Sequence, residues 1–368
     1  MKKAKMLAAQ LGKEFMRIGN YVGQQSALGD EVEELIDIPS FDDANKTVAS
    51  KIASMGIEIQ CLGHFDGGDD EEDKIVLYTK NYIGKARSKS IPKIDGVPIK
   101  TEHVGSLLVK PKLASSEQKE GKIYIREEKL CCGSSCAPAA QDYSGTLGAL
   151  IRKNDDPENV YILSNNHILS GCNQIPKGMP ILSPSSKDGR PEAFPPTTIS
   201  FLSEIDPLEF GDPGFITPCE NDVAIAKLRT PDILSSWQGD PTYGFDTPDG
   251  VVEPESRMRV KKFGRTSGLT FGSVLSPIEQ ISLNFAINEL SVKIWFQNVW
   301  MVKGINGGTF AKEGDSGSLV VTDNGTDAVG LLFACSNTKQ GGSFGLIIPI
   351  SRVLDLFGGL SLVTDYGL

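Results

Sequence analysis

From about Lys122 onward the sequence is cut into short β-branched runs divided by Gly, Pro, Asn and Asp: "KIYIREEKL", "GTLGALIRK", "NVYILSNNHIL", "DVAIAKL", "MRVKKFG", "LTFGSV", "VKIWFQNVWMV", "GSLVVT", "AVGLLFAC" and "SFGLIIPI". Such runs suit a pleated, half-buried surface, and the turn residues between them leave almost no helical period. This texture builds a sandwich or a barrel. About ten candidate strands over more than two hundred residues are too many for one six-stranded barrel. The expectation is therefore a mainly β protein with two consecutive six-stranded antiparallel β-barrels. "ISRVLDLFGG" then reads as a C-terminal helix with Val353, Leu354 and Phe357 facing inward.

The first third of the chain reads differently, as a small α/β region. Leu7, Leu11, Phe15 and Ile18 recur at spacings of four and three, which places them on one face of a helix. Ser40 or Asp42 is positioned to cap a second helix over Asp43 to Met55, which Gly56 would end. The strand-like "IEIQCLGHF" and "KIVLYTKN" follow, separated by the acidic "DGGDDEED". That loop holds six carboxylates but lacks the alternating spacing of a calcium site, so it reads as a solvated hairpin tip. "KARSKSIPKIDGVPIK" and "KPKLASSEQKEGK" read as a connector and a linker. The expected units are 1–118, an N-terminal docking or regulatory region with its linker, 119–250, the first barrel, and 251–368, the second barrel with the closing helix.

A net charge of −10 and a pI near 5.0 argue against a nucleic-acid or anionic-membrane surface and point to protein or peptide partners. Gln10, Lys13, Glu14 and Arg17 break up any signal-peptide core, and no segment reaches transmembrane length. Seven cysteines, with Cys131, Cys132 and Cys136 crowded together, read as thiols of a reducing cytoplasm. Adjacent cysteines are poorly spaced for zinc, even with Cys172 added, so neither metal nor cofactor is expected. Asn45 and Asn324 lie in sequons that carry no meaning in that compartment. Trp295 and Trp300 are expected to pack in the second barrel.

The chemistry-bearing residues stand out against this background. Of three histidines, His64 and His103 have no chemical company and read as structural. His167 differs, because "VYILSNNHILSG" is an apolar strand that stops in polar residues and presents the imidazole at its end. In "NDVAIAKL", Asp222 opens another apolar strand, where a carboxylate needs a strong donor such as an imidazole N–H. In "AKEGDSGSLVV", Gly314, Asp315, Ser316 and Gly317 form turn chemistry before a strand. Taken alone, each of the three is commonplace.

The order His167, Asp222, Ser316 is that of the chymotrypsin-type triad. The region from about Lys122 to Gly358 resembles the chymotrypsin-fold, trypsin-like serine proteases through "LSNNHIL", "NDVAIAKL" and "EGDSGSLVV". More narrowly, "GTLGALI", "YILSNNHIL", "KKFGRTSGLTFGSV" and "VGLLFA" resemble the intracellular trypsin-like proteins of bacteria and plants, and "KIVLYTKN" with "IDGVPIKTEHVG" resembles the small domain preceding the protease there. The resemblance implies an intracellular serine endopeptidase in which Ser316 attacks, His167 takes its proton, Asp222 holds His167, and the N–H groups of Gly314 and Ser316 form the oxyanion hole. It places Phe310 at the base of the substrate pocket and Phe333, Ala334, Cys335, Ser336 and Phe344 with Gly345 in or near its wall. No acid is evident there, which favours small or medium uncharged residues before the cleaved bond. Without an Ile-Val-Gly-Gly-like start, Asp315 is expected to pair internally, with Lys312, Arg265 or backbone N–H groups as candidates. Regulation is then expected to act on access, with residues 1 to about 118 controlling entry or docking a partner protein. The alternative is a catalytically silent interaction module on the same fold.

Overall fold

The structure is a computed structural model and describes residues 3–18, 41–65, 72–109, 121–139, 141–190, 192–211, 217–287, 290–338 and 342–368. The acidic loop and the second linker lie largely outside these residues. The chain opens with helices α1 (Lys3–Arg17) and α2 (Asp43–Ser54), followed by strands β1 (Ile59–Phe65) and β2 (Lys74–Thr79), helix α3 (Lys85–Lys89), and strands β3 (Ile99–His103) and β4 (Leu108–Val109). Next come β5 (Ile125–Arg126), β6 (Lys129–Cys132), β7 (Ser135–Pro138), β8 (Gly145–Thr146), β9 (Ala149–Lys153) and β10 (Asp156–Ser164). Helix α4 (Asn166–Leu169), β11 (Pro180–Ser183), β12 (Thr197–Ile205), β13 (Ala224–Leu228), β14 (Leu234–Gln238), β15 (Phe245–Asp246) and β16 (Gly250–Val251) follow. The last part holds β17 (Arg259–Gly264), β18 (Gly268–Ile287), β19 (Leu290–Gly304), β20 (Leu319–Thr322), β21 (Asp327–Thr338), β22 (Gly342–Pro349), α5 (Ile350–Leu354) and β23 (Leu360–Leu362).

The protein is mainly β, and its two larger sheets meet over one core. In the C-terminal part β17, β18, β19, β22, β21 and β20 pair antiparallel in that order, and β20 pairs back to β17, so the six strands close on themselves. Their interior holds Val260, Val274, Val302, Phe310, Val320, Leu332 and Ile347. The other large sheet runs β23-β9-β10-β13-β12-β11-β7-β8, and among the described residues its path stays open. A larger core, with Leu150, Ile162, Ile225, Phe285, Phe296, Leu331 and Phe333 among its members, joins the two sheets. The closing helix is short: α5 buries Ile350 and Val353 and a 3₁₀ turn follows, while Leu354 and Phe357 are half-buried against that core.

β18 shows how sequence alternation is used twice. Gly272, Val274, Ser276 and Ile278 are buried, then the phase slips and Ile281, Leu283 and Phe285 take over. The slip falls where β1 joins β18 antiparallel through Cys61, Leu62 and Gly63. The N-terminal region is thereby built onto the C-terminal sheet, with β2 and β3 extending it. Tyr78 Oη and Ser276 Oγ share a hydrogen bond of 2.6 Å across that seam.

α1 lies on this extension through Leu7, Leu11 and Phe15, and full burial of a side chain like Phe15 contributes roughly 1.5–3 kcal/mol. α2 is capped by Asp42, whose carboxylate accepts the Asn45 N–H at 2.8 Å, and Gly56 follows its end at φ +62°. Trp295 departs from expectation: it is buried in this N-terminal cluster with residues of α1 and β1, because β19 carries apolar side chains on both faces at Ile294, Trp295 and Phe296. Trp300 does pack half-buried against the interior of the strand ring.

Candidate active site

His167 lies on the single turn α4 just after β10 ends, with Leu169 N–H to Asn165 O at 2.9 Å and Ser170 N–H to Asn166 O at 2.7 Å closing the turn. β10 pairs with β13 so that Ser164 faces Ala224, and continuing both strands by two residues sets Asp222 beside α4. His167 Nδ1–H donates to Asp222 Oδ2, Asp222 Oδ1 accepts the backbone N–H of His167 at 3.0 Å, and Asn165 Nδ2 donates to the Asp222 carbonyl at 2.7 Å. Both side chains are fully buried. A carboxylate only accepts, so Nδ1 is the nitrogen that donates to Asp222, and Nε2 is the one left to act on a substrate. Nε2 is buried and has no hydrogen-bond partner among the described residues. The Phe285 ring of β18 stands edge-on to the imidazole at 5.5 Å.

Ser316 occupies the turn before β20. Asp315 N–H bonds Lys312 O at 3.0 Å and Ser318 N–H bonds Asp315 O at 3.1 Å. Gly314 and Gly317 have φ of +94° and +96°, the left-handed region that a side chain strains. A Cβ on Gly317 would also collide with Ser164 Oγ and Thr146 O, so Ser164, which ends β10, lies against the Ser316 turn. Ser316 O accepts the Thr146 N–H at 2.8 Å, and Ser316 Oγ donates to Phe333 O at 3.1 Å. Among the described residues the backbone N–H groups of Gly314 and Ser316 donate no hydrogen bond. The turn thus presents two free donors beside a hydroxyl.

Asp315 is fully buried and well satisfied. Lys262 Nζ lies 3.1 Å from its Oδ2, the N–H groups of Thr266 and Ser267 reach Oδ1 at 2.9 Å each, and Lys312 N–H and Ser267 Oγ reach Oδ2 at 2.9 and 2.5 Å. Burial alone would raise this carboxyl, but Lys262 and the Ser267 donors outweigh it and hold it below the usual range. The charged partner is therefore Lys262, where the sequence suggested Lys312 or Arg265. Of those, Lys312 contributes only its backbone, and Arg265 turns to Asp188 with Nε and Nη2 at 2.6 and 2.5 Å.

That second ion pair also anchors the chain where it enters the large sheets, since Asp188 Oδ1 accepts the Gly121 N–H at 2.9 Å. Burial works to raise the Asp188 carboxyl, yet Arg265 and Ser135 hold it down at about 2. A carboxyl lowered from about 3.9 stabilises the fold above that pH and loses its contribution as pH falls toward the lowered value. Urea denaturation between pH 5 and 2 is expected to show a steeper acid loss for the wild type than for Asp188→Asn. Equal slopes would contradict this.

The expected pocket residues divide between two clusters. Phe333 and Phe344 lie in the joint core with Ala334, and Phe333 is tilted against Phe296 at 4.8 Å. Lys303 Nζ sits 5.3 Å from the centre of the Phe344 ring. Phe310 and Cys335 belong to the interior of the six-stranded ring, where Phe310 is fully buried, fits against Gly272 and Gly345 and lies 5.9 Å from Lys262 Nζ. His64 pairs with Glu279 at 3.0 Å and His103 Nε2 meets Lys80 O at 3.0 Å, both away from His167. All seven cysteines are free and buried, and no cluster suited to a metal occurs among the described residues.

Two features of the site went unread in the sequence. Lys262 shares the inward face of β17 with Val260, and a lysine at an inward alternation position was the available signal. Phe285 lies in a stretch, "ISLNFAINELS", that carried no strand assignment.

No protein-family model matches the chain, and no curated protein matches it. Among solved structures, protease A of Thermobifida fusca is 16% identical, with 64% of this chain and 98% of that one covered at a TM-score of 0.43. The chymotrypsin of Cellulomonas bogoriensis is 14% identical over 64% and 98% at 0.42, and a Nocardiopsis protease 13% identical over 63% and 97% at 0.43. Likenesses this loose leave the chemistry of the chain to its own geometry.

Proposed function

We propose that the protein is a chymotrypsin-type serine endopeptidase acting through His167, Asp222 and Ser316. The observation that carries this is the buried imidazole, held at Nδ1 by a buried carboxylate, with no hydrogen-bond partner at Nε2 among the described residues. An isolated structural histidine would have both nitrogens satisfied. In this reading Ser316 Oγ gives up its bond to Phe333 O and donates to Nε2 instead. Ser316 Oγ then attacks the substrate carbonyl carbon and its proton passes to Nε2, while the N–H groups of Gly314 and Ser316 receive the oxyanion. The same proton leaves with the amine as the C–N bond breaks; water then gives a proton to Nε2 as it attacks the acyl carbon, the bond to Ser316 Oγ breaks, and that proton returns from Nε2 to Oγ.

In this reading residues 1–118 regulate access or dock a partner protein, 119–250 carry His167 and Asp222, and 251–368 carry Ser316. Seven free thiols suit a reducing cytoplasm.

A fluorophosphonate is expected to label Ser316, mapped by mass. Absence of label on every folded form of the protein supports the alternative, a silent interaction module. Because the walls offered by Phe333, Ala334 and Phe344 are apolar, a peptide library is expected to show Ala, Val, Leu or Thr before the cleaved bond. A strong Arg or Lys preference would contradict the pocket assignment.

A further inference from the structure

We infer that residues 104–109 are a built-in pseudosubstrate, a strand of the N-terminal region that fills the peptide-binding cleft and must leave before a protein substrate enters. The inference rests on Ser316 being the nucleophile and concerns what controls it. β4 pairs antiparallel with β21, Leu108 opposite Cys335, and runs toward Phe333, whose carbonyl holds Ser316 Oγ. Its other edge pairs parallel with β18 at Asn284 and Phe285, and Phe285 is the ring that covers His167. β4 therefore lies between the strand beside the hydroxyl and the strand beside the imidazole. This explains why His167 is fully buried, although a general base acting on a protein must be reached.

The preceding residues act as a plug. Val104 and Leu107 are 0% and 3% exposed in the same core as Phe285, Phe296, Phe333 and Phe344, and Ser336 Oγ donates to Val104 O. A strand added to a sheet edge binds through its main chain, with apolar side chains supplying selectivity. Here the added strand is tethered, so it competes with substrates at a high effective concentration. Its hold comes from β3, which pairs parallel with β2, and from the bond of Lys303 to Glu102. The segment "VGSLLV" also names the substrate class: an extended, uncharged, aliphatic stretch of a protein chain.

Leu107→Glu should expel the plug, because a carboxylate is costly to bury among those apolar side chains. Fluorophosphonate labelling of Ser316 is expected to run at least tenfold faster in Leu107→Glu than in the wild type, and a synthetic peptide of residues 101–109 added in trans should slow it again. Equal rates with no effect of the peptide would overturn the proposal. A second variant, Leu108→Cys, guards against misfolding, since residue 108 stands opposite Cys335 in the antiparallel register, and the Cα atoms of directly opposed residues lie within the span a disulfide bridges. Oxidation should suppress labelling and dithiothreitol restore it, whereas equal labelling in both states would overturn the proposal. If no folded form labels under any condition, Ser316 is not a nucleophile, and the protease reading falls together with this one.

Discussion

Ser316→Ala is expected to lower kcat/KM for peptide hydrolysis by at least about 10⁴-fold while leaving the fold intact, since losing a triad member leaves only oxyanion and binding contributions. The hydroxyl makes one hydrogen bond, to Phe333 O, from a half-buried position, so its loss costs about 1 kcal/mol or less. His167→Ala should lose as much activity and more stability. Asp222 would keep the backbone N–H of residue 167 but lose the imidazole, and its carboxylate is fully buried. A Tm below that of Ser316→Ala is the expected signature. Turnover by purified Ser316→Ala near the wild-type rate would remove the nucleophile assignment.

Lys262→Met is expected to have the largest effect on stability. It removes the only ammonium within reach of Asp315 among the described residues, and breaking a buried ion pair from one side typically costs about 3–5 kcal/mol. Asp315 also shapes the turn that presents Gly314 and Ser316, so labelling of Ser316 should slow as the turn loosens. The lowered Asp315 carboxyl places the stabilisation of this pair above the ordinary carboxylate range, to be lost as pH falls through the lowered value. Lys262→Met/Asp315→Asn should recover part of the loss, because no uncompensated charge remains. A single variant as stable as the wild type in urea would contradict this account of the turn.

How much of this was legible in the sequence follows from what is local. The ring strands announced themselves because β20 and the apolar runs within β21 and β22 follow closely on Gly, Asn or Asp. The His167, Asp222 and Ser316 motifs were visible because each sits where an apolar run meets polar residues. His167 turned out to ride on a helical turn rather than a strand end, since four residues are too few to show a helical period. The reach of β18 stayed hidden because its alternation slips between Ile278 and Ile281, which breaks one strand into two phases. β4 is two residues long and exists only through non-local pairing with β18 and β21, so no window of sequence signals it. Lys262 was hidden in plain alternation, because a charged side chain on a strand is ordinarily solvated, whereas its face of β17 points inward.

The acyl-enzyme tests the central claim most directly. The Leu107→Glu protein, mixed with an activated aliphatic acyl ester and quenched in acid, is expected to gain the mass of one acyl group, located by fragmentation on Ser316 and absent from Leu107→Glu/Ser316→Ala. An unmodified Ser316 in folded protein that otherwise hydrolyses the ester, or an adduct that persists in the Ser316→Ala background, would contradict the account.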